Sequence, residues 1–374
     1  MKIVFISHAS VLNGAPITLA ELVEELLKDI EPGSISLGLP AAGMLLQRHP
    51  LAGAEVFFYA RSFTGREILV TRPRIRKRLR AIFAEKEADL VVANSLESFR
   101  AVQAAADVEV PVIWMLHELL TSYCGRRELE EMKEAARLAD RVIFNSRSAL
   151  ELAPILGEGI EEKSRVIYPG VPLPPPDEER AGGGGRPGEG GGPLLGSVGD
   201  ICPQKGHESL IRGFGLLLRD CPSARLMIIG RTPGRYRDFR NRMETLCREL
   251  GIGERVVFRG ERIDLPRCLR ELDLLIHPSW GESFGRVVVE ALAREVPVVA
   301  SRSGGVEEIL TDGSTGLLIP PRDPEALAAA ARRMITRPAE AREMACRGRQ
   351  AVEERFAIGR FAGELKREMA QFKL

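Results

Sequence analysis

The sequence predicts an α/β protein of two doubly wound parallel-sheet domains in tandem, facing a cleft. Three observations carry this expectation. Short apolar runs recur along the chain, each followed by a longer helical pattern. The 374 residues exceed one ordinary domain and suit two. The stretch Val171 to Pro193, VPLPPPDEERAGGGGRPGEGGGP, cannot build a packed core and reads as a linker or an insertion between two halves.

In the first half the apolar runs are KIVFIS, SISLGL, EVFFYA, DLVVAN, VPVIWML and DRVIFNS. In the second half they are LLGSVG, ARLMIIG, RVVFRG, DLLIHPS, VPVVAS and TGLLIP. Apolar at consecutive positions, they suit strands buried on both faces of a parallel sheet. Strands alternating with helices imply right-handed βαβ units. The expected division is a first domain over 1–172, a linker over 173–192 and a second domain over 193–355. In the tail, Phe356, Phe361, Leu365 and Met369 recur at roughly helical spacing, which predicts a helix within 356–374 packed back on the first domain. The run Arg286 to Arg294 can be read as a strand through its β-branched RVVV. The 3.6-residue spacing of Val287, Glu290, Ala291 and Arg294, together with the strong helix former EALARE, favours a helix.

Composition excludes several classes. Lys plus Arg is 53 against 52 for Asp plus Glu, which argues against a dedicated nucleic-acid binder. The six cysteines are scattered without C-x-x-C or zinc spacing and read as free thiols of a reducing cytosol. The N-terminal MKIVFISHAS lacks a small-residue cleavage site and reads as a first strand. No uncharged run reaches the length of a membrane span, so the expected location is cytoplasmic. No G-x-G-x-x-G with a correctly spaced acid follows a strand, which speaks against a nicotinamide-dinucleotide enzyme.

Ligands of open α/β sheets bind beyond the carboxyl ends of the strands, and the candidate chemistry sits there. After KIVFI, Asn13-Gly14-Ala15 predicts a tight turn, with a helix from Pro16 onward whose N-terminus favours an anion. Gly14 would let a ligand approach the backbone, although many such turns carry glycine for steric reasons alone. His117 ends VPVIWML; it can donate to a sugar hydroxyl or a phosphate, or it can cap the next helix. Lys205, in PQKGHESLIRGF, can neutralise a phosphate or sit solvated. Glu282 and Glu290 flank SFG in WGESFGRVVVEALA, with the Phe284 and Gly285 amides at a helix start. Gly304-Gly305, after VPVVAS, forms a further backbone-amide nest.

Taken together, the second half resembles the retaining family 4 glycosyltransferases of GT-B fold. The residues that carry the likeness are Glu282 and Glu290 within HPSWGESFGRVVVEALA, together with PQKGHESLIRGF, VVFRGE, VPVVASRSGGVEEIL and DGSTGLLIPPRDPEALA. In the first half the match is thinner and rests on NGA, FNSRSAL and SRVIYPGVP. The resemblance implies a nucleotide-diphosphate-sugar donor, a sugar, lipid-linked or small-molecule acceptor, and no metal or other cofactor. It implies Glu290 on the donor ribose, Glu282 on hydroxyls of the donor sugar, and the Ser283, Phe284 and Gly285 backbone beside sugar and phosphate. Lys205 would bind the diphosphate, Gly14 would approach it from the other domain, and His117 would lie near the transferred sugar. The family usually carries Gly-Arg ahead of Lys-Gly; here the pair is Gly199-Asp200. Arg231, at the end of LMIIG, is the candidate substitute cation. The departure also admits a catalytically impaired nucleotide-sugar binder, and an epimerase on the same fold is a third reading that the paired glutamates disfavour.

One segment remains. RSFTGREILVTRPRIRKRLRAIFAEK carries Arg61, Arg66, Arg72, Arg74, Arg76, Lys77, Arg78 and Arg80, with Ile75, Leu79, Ile82 and Phe83 at helical spacing. The stripe predicts a helix packed on the first domain. The charge either is solvated or contacts an anionic membrane surface or a phosphorylated acceptor.

Overall fold

A computed structural model describes residues 1–60, 67–118, 126–174 and 192–372, with backbone alone for 67–73 and 126–127. The chain forms two compact units, one of Met1–Pro172 with Ala357–Leu374 and one of Leu173–Phe356. Residues 175–191 of the predicted linker, together with Arg61, Arg66, the Arg72 side chain and Cys124, lie outside the described residues.

In the first unit the strands are β1 (Ile3–Ser7), β2 (Ile35–Leu39), β3 (Glu55–Phe58), β4 (Leu90–Asn94), β5 (Val112–Leu116), β6 (Arg141–Phe144) and β7 (Ser164–Val166). They make a parallel sheet in the order β3-β2-β1-β4-β5-β6-β7. The helices are α1 (Gly14–Leu26), α2 (Met44–Arg48), α3 (Glu67–Glu85), α4 (Phe99–Ala106), α5 (Arg126–Leu138) and α6 (Arg147–Leu150). Because strand residues alternate between faces, Ile3 and Phe5 of β1 meet α1, while Val4 and Ile6 meet the core under α3, α4 and α5.

In the second unit β8 (Leu194–Val198), β9 (Arg225–Ile229), β10 (Val256–Gly260), β11 (Leu274–His277), β12 (Val298–Ser301) and β13 (Leu317–Ile319) run parallel in the order β10-β9-β8-β11-β12-β13. Its helices are α7 (His207–Leu217), α8 (Arg237–Glu249), α9 (Leu265–Arg270), α10 (Arg286–Leu292), α11 (Val306–Ile309), α12 (Pro324–Thr336) and α13 (Pro338–Arg355). One core joins Leu195, Leu226, Leu274 and Val299 of the sheet to Phe214 of α7, Met243 of α8 and Leu327 of α12. In both sheets the strand order reverses beside the first strand of the unit, at β1/β4 and at β8/β11. These are the switch points outside which ligands of such folds bind.

All the predicted strands form, and Arg286–Leu292 is helical. Three expectations need correction. Residues Ser164–Val166 add a seventh strand to the first sheet; three residues with an exposed Arg165 carry no readable apolar run. Gly14 is the first residue of α1 itself rather than part of a turn before it. The terminal helix, α14 (Ile358–Met369), begins beyond Phe356. Phe356 ends α13 in the second unit and sets its ring edge-on to Phe284 at 5.6 Å. Helix α14 buries Phe361, Leu365 and Met369 in the first unit's core beside α1, and Ile358 N donates to Val171 O at 3.0 Å.

The basic helix α3 buries Leu79 and Phe83 against the sheet. Arg76 grips Asp107 through two bonds of 2.8 and 2.7 Å, Arg80 lies 3.7 Å from the same carboxylate, and Arg78 donates to Phe58 O at 2.8 Å. Among the described residues no helix is long and apolar enough to cross a membrane. The described cysteines, Cys202, Cys221, Cys247, Cys268 and Cys346, are free thiols.

Candidate active site

In the second unit the switch point carries a polar cluster. Strand β8 ends at Val198, and the loop after it closes with a 3-10 turn at Pro203–Lys205. Strand β11 ends at His277 and leads into the loop that holds Glu282. The two loops are stitched together: Trp280 N and Ser279 Oγ donate to Gln204 O at 3.0 and 3.1 Å, and Trp280 Nε1 donates to Pro203 O at 2.9 Å. Gly206 makes the approach possible. Its φ is +69°, and a β-carbon there would lie 2.0 Å from Pro278 O.

This stitching brings Lys205 Nζ to 2.5 Å from Glu282 Oε2, and His277 Nε2 donates to the same oxygen at 3.1 Å. Burial alone would raise the Glu282 pKa, but Lys205 and His277 outweigh it and hold the carboxyl well below the usual range. Burial would likewise discharge Lys205, and Glu282 reverses that, keeping the ammonium charged. The pair is therefore an ammonium and a carboxylate throughout the neutral range. Lys205 keeps 26% of its side-chain surface open, enough for a ligand to reach it.

Around this pair the other predicted residues fall as follows. Glu282 N donates to Ser303 Oγ at 3.1 Å, and Gly305 N donates to Glu282 O at 3.3 Å. Gly305 lies flat on the loop, where a β-carbon would be 2.3 Å from Ser283 O. Thus the Gly304–Gly305 turn, Ser283 and Glu282 form one surface. Gly285 caps α10 at φ +101°, and the Phe284 ring is buried. Glu290 is 7% exposed, and Arg286 Nε donates to it at 2.8 Å from one turn earlier. It engages Arg286, not the Lys205–Glu282 pair. Arg231 does meet Asp200: its Nε and Nη2 donate to Oδ1 and Oδ2 at 2.9 Å each. Arg231, just past the end of the neighbouring strand β9, thus sets a cation against the carboxylate at position 200.

In the first unit a second polar network lies at the ends of β4 and β5. His117 Nε2 bonds Asn94 Oδ1 at 2.7 Å, and Asn94 Nδ2 donates to Ala15 O at 3.0 Å. Asn94 thereby ties His117 to the start of α1 and fixes the imidazole proton on Nε2. Gly14 does not have a left-handed φ, and a β-carbon there would meet no atom within 4 Å, so local sterics do not demand glycine. Ser95 sits at φ 86°, ψ 154°, a region that costs a non-glycine residue about 1–3 kcal/mol. It is held there by Ser95 N to Met115 O at 2.7 Å, Trp114 Nε1 to Ser95 O at 2.9 Å, and Ser95 Oγ to Glu118 Oε1 at 2.7 Å.

Sequence reasoning missed His277, His207, Ser303, Asn94, Ser95 and Glu118. His277 had a signal, since it ends a strand five residues before the acid it bonds. His207 bonds the Asp200 carbonyl within its own segment, and the other partnerships cross between strands and leave no spacing to read.

Comparison with known proteins decides the family. Residues 12–173 match the family described as Glycosyltransferase Family 4, and residues 187–351 match Glycosyl transferases group 1. The lipopolysaccharide core mannosyltransferase LpcC of Rhizobium leguminosarum is 30% identical over 251 residues, covering 66% of this chain and 69% of that protein. The chain belongs to the family 4 glycosyltransferases. Another relative, the D-inositol 3-phosphate glycosyltransferase of Nocardia farcinica, is 34% identical over 209 residues, 52% of this chain. The chain spans only 44% of that relative's length. Two solved structures share the GT-B fold. HepE of Anabaena, crystallised with UDP and glucose, superposes with a TM-score of 0.84 at 24% identity over 99% of each chain. Sucrose-phosphate synthase of Thermosynechococcus elongatus gives 0.81 at 22% identity over 100% of each.

Proposed function

We propose that this protein is a retaining glycosyltransferase that moves a sugar from a nucleotide-diphosphate-sugar donor to a sugar, lipid-linked or small-molecule acceptor, without a metal. The observation that carries the reading is the charged Lys205–Glu282 pair at the β8/β11 switch point, beside the Gly304–Gly305 turn. In this reading Lys205 transfers its ammonium to the donor diphosphate, releasing Glu282 to accept hydrogen bonds from the donor sugar. The backbone of Ser283, Phe284 and Gly285, the Gly304–Gly305 amides and Arg231 add donors to the phosphates. Glu290, steadied by Arg286, takes the ribose hydroxyls. On the first unit, Gly14 and His117 are assigned to phosphate and sugar groups. HepE, of the same fold, holds UDP, and LpcC is named a mannosyltransferase; both names are consistent with a donor of this class.

The chemistry asked of the protein is charge stabilisation. The glycosidic bond to phosphate breaks, negative charge grows on the diphosphate, and a fixed ammonium in a partly dry site lowers that barrier. The leaving phosphate oxygen takes the acceptor's proton as the new bond forms on the same face of the sugar.

The exposed Arg74, Lys77, Arg78 and Arg80 on α3 are proposed to contact an anionic membrane surface, placing a cytoplasmic protein at the periphery of the membrane. Thermal-shift screening against UDP, GDP, ADP and their sugars, followed by transfer assays, tests the donor reading. With the donor so found, Glu282→Ala should reduce turnover by about 10²-fold or more. A variant near wild-type rate would remove Glu282 from the sugar contact. A catalytically impaired binder would instead show donor binding without transfer or hydrolysis.

A further inference from the structure

We propose that Asp200 is a resident counter-ion for Arg231. It keeps the guanidinium paired until a nucleoside diphosphate displaces it, and so limits how tightly the site holds its diphosphate product. The inference rests on the donor reading above.

The pair is built rather than incidental. Arg231 grips both oxygens of Asp200 at 2.9 Å, the bidentate geometry that makes such bonds strong. The two residues sit side by side because β8 and β9 continue past their ends: Gly199 N donates to Ile229 O and Ile201 N to Arg231 O, each at 2.9 Å. Asp200 is pinned at its own carbonyl by the buried His207, whose Nε2 donates at 3.2 Å. The two side chains remain 34% and 28% exposed, so a ligand can reach them.

The pair also borders the ammonium assigned to the diphosphate. A β-carbon on Gly199 would lie 3.5 Å from Cδ and Cε of Lys205, so the lysine stem runs along the backbone next to Asp200. Two ion pairs, Lys205–Glu282 and Arg231–Asp200, thus stand together after β8, and their four charges cancel. An arriving diphosphate finds each cation matched by a carboxylate. Glu282 has a new task once displaced, since it can accept from sugar hydroxyls. Asp200 has no such task. Its charge opposes the phosphates for as long as they are bound, weakening the hold on the product that must leave.

Calorimetric titration of UDP, GDP and ADP into wild type, Asp200→Asn, Arg231→Met and the double variant tests this. Asn keeps the shape and an acceptor but removes the charge. Asp200→Asn should tighten binding of the nucleoside diphosphate by about tenfold. The gain should shrink in high salt and persist when Arg231 is Met. Arg231→Met should weaken binding more than the double variant does, because only the single variant leaves Asp200 facing the phosphates unpaired. That second comparison stands even if Asp200→Asn alone folds poorly. Equal or weaker binding by folded Asp200→Asn, or Arg231→Met no weaker than the double variant, overturns the counter-ion role and leaves the donor reading intact. Failure of wild type to bind any of the three nucleotides overturns both.

Discussion

His207 opens α7 directly after Lys205-Gly206 and is 1% exposed. Its Nε2–H donates to Asp200 O, while its Nδ1 is buried without a partner. A second proton would have to go on Nδ1, where nothing accepts it. Burial, together with Lys205 and His277, pushes the pKa down from 6.5 to about 4, against the opposing pull of Asp200. The unfolded chain therefore binds this proton more readily than the fold does. The stability involved is present above 6.5, and it is lost as pH falls from there through 4. Fully titrated, the loss is about 3 kcal/mol, and at pH 5 it is about 2 kcal/mol. His207→Gln keeps an N–H for the Asp200 carbonyl but cannot titrate. Thermal midpoints of wild type and variant, measured at pH 7.5 and pH 5, isolate the effect. Between the two pH values the wild type should lose about 4–8 °C relative to the variant. A gap that stays constant to within about a degree would mean that His207 titrates normally, and the closed environment drawn around it would be wrong.

Three further outcomes follow from the site and the basic helix. Lys205→Met should lower turnover by about 10²-fold and also raise the Glu282 pKa, read as a new rise in activity with pH in the acid range; unchanged turnover would remove Lys205 from the diphosphate. Exhaustive treatment with EDTA should leave transfer activity unchanged, and a loss restored by added divalent cation would refute the metal-free reading. Sedimentation with anionic vesicles should fall at high salt and on replacing Arg74 and Lys77 by Glu; binding indifferent to lipid charge and salt would rule out the electrostatic contact.

Much of the fold was legible because its strands are buried on both faces. Runs such as DLVVAN and VPVIWML stay apolar where a half-exposed strand would alternate, and each is followed by a helical period. The short β7 escaped because three residues offer no period, and the spacing of Phe356 fits α14 only by coincidence. The site divides in the same way. Glu282, Lys205 and the glycine turns follow strands directly, so position along the chain located them. The bond from Arg286 to Glu290 has a signal in its four-residue spacing on one helix. Asn94 meets His117, and Ser95 meets Glu118, only because β4 and β5 are neighbours, which is a property of strand order and not of spacing.

The same division explains where local rules are broken. A serine held at φ 86° and a histidine with a buried, unpartnered nitrogen are both unfavourable taken alone. Ser95 sits just beyond the carboxyl end of the central strand β4, and His207 opens α7 at the close of the loop that follows the central strand β8. Both are fixed by hydrogen bonds: Ser95 N donates to Met115 O and the Trp114 indole N–H donates to Ser95 O, while His207 Nε2 donates to the Asp200 carbonyl. A core position under such strain would be relieved by an ordinary substitution at no cost to packing. At a strand end the strained residue sets the direction of a loop, and the loop carries the polar groups: Glu118 and His117 in one unit, Lys205 and Asp200 in the other. Strain concentrated there, and compensated by many bonds, is what a preorganised binding surface requires. It also predicts which changes should separate stability from activity. Ser95→Gly, which adopts the left-handed φ freely, should hold or raise the thermal midpoint while lowering turnover through the lost bond to Glu118. If turnover and midpoint instead moved together, the strain at Ser95 would have no part in the site.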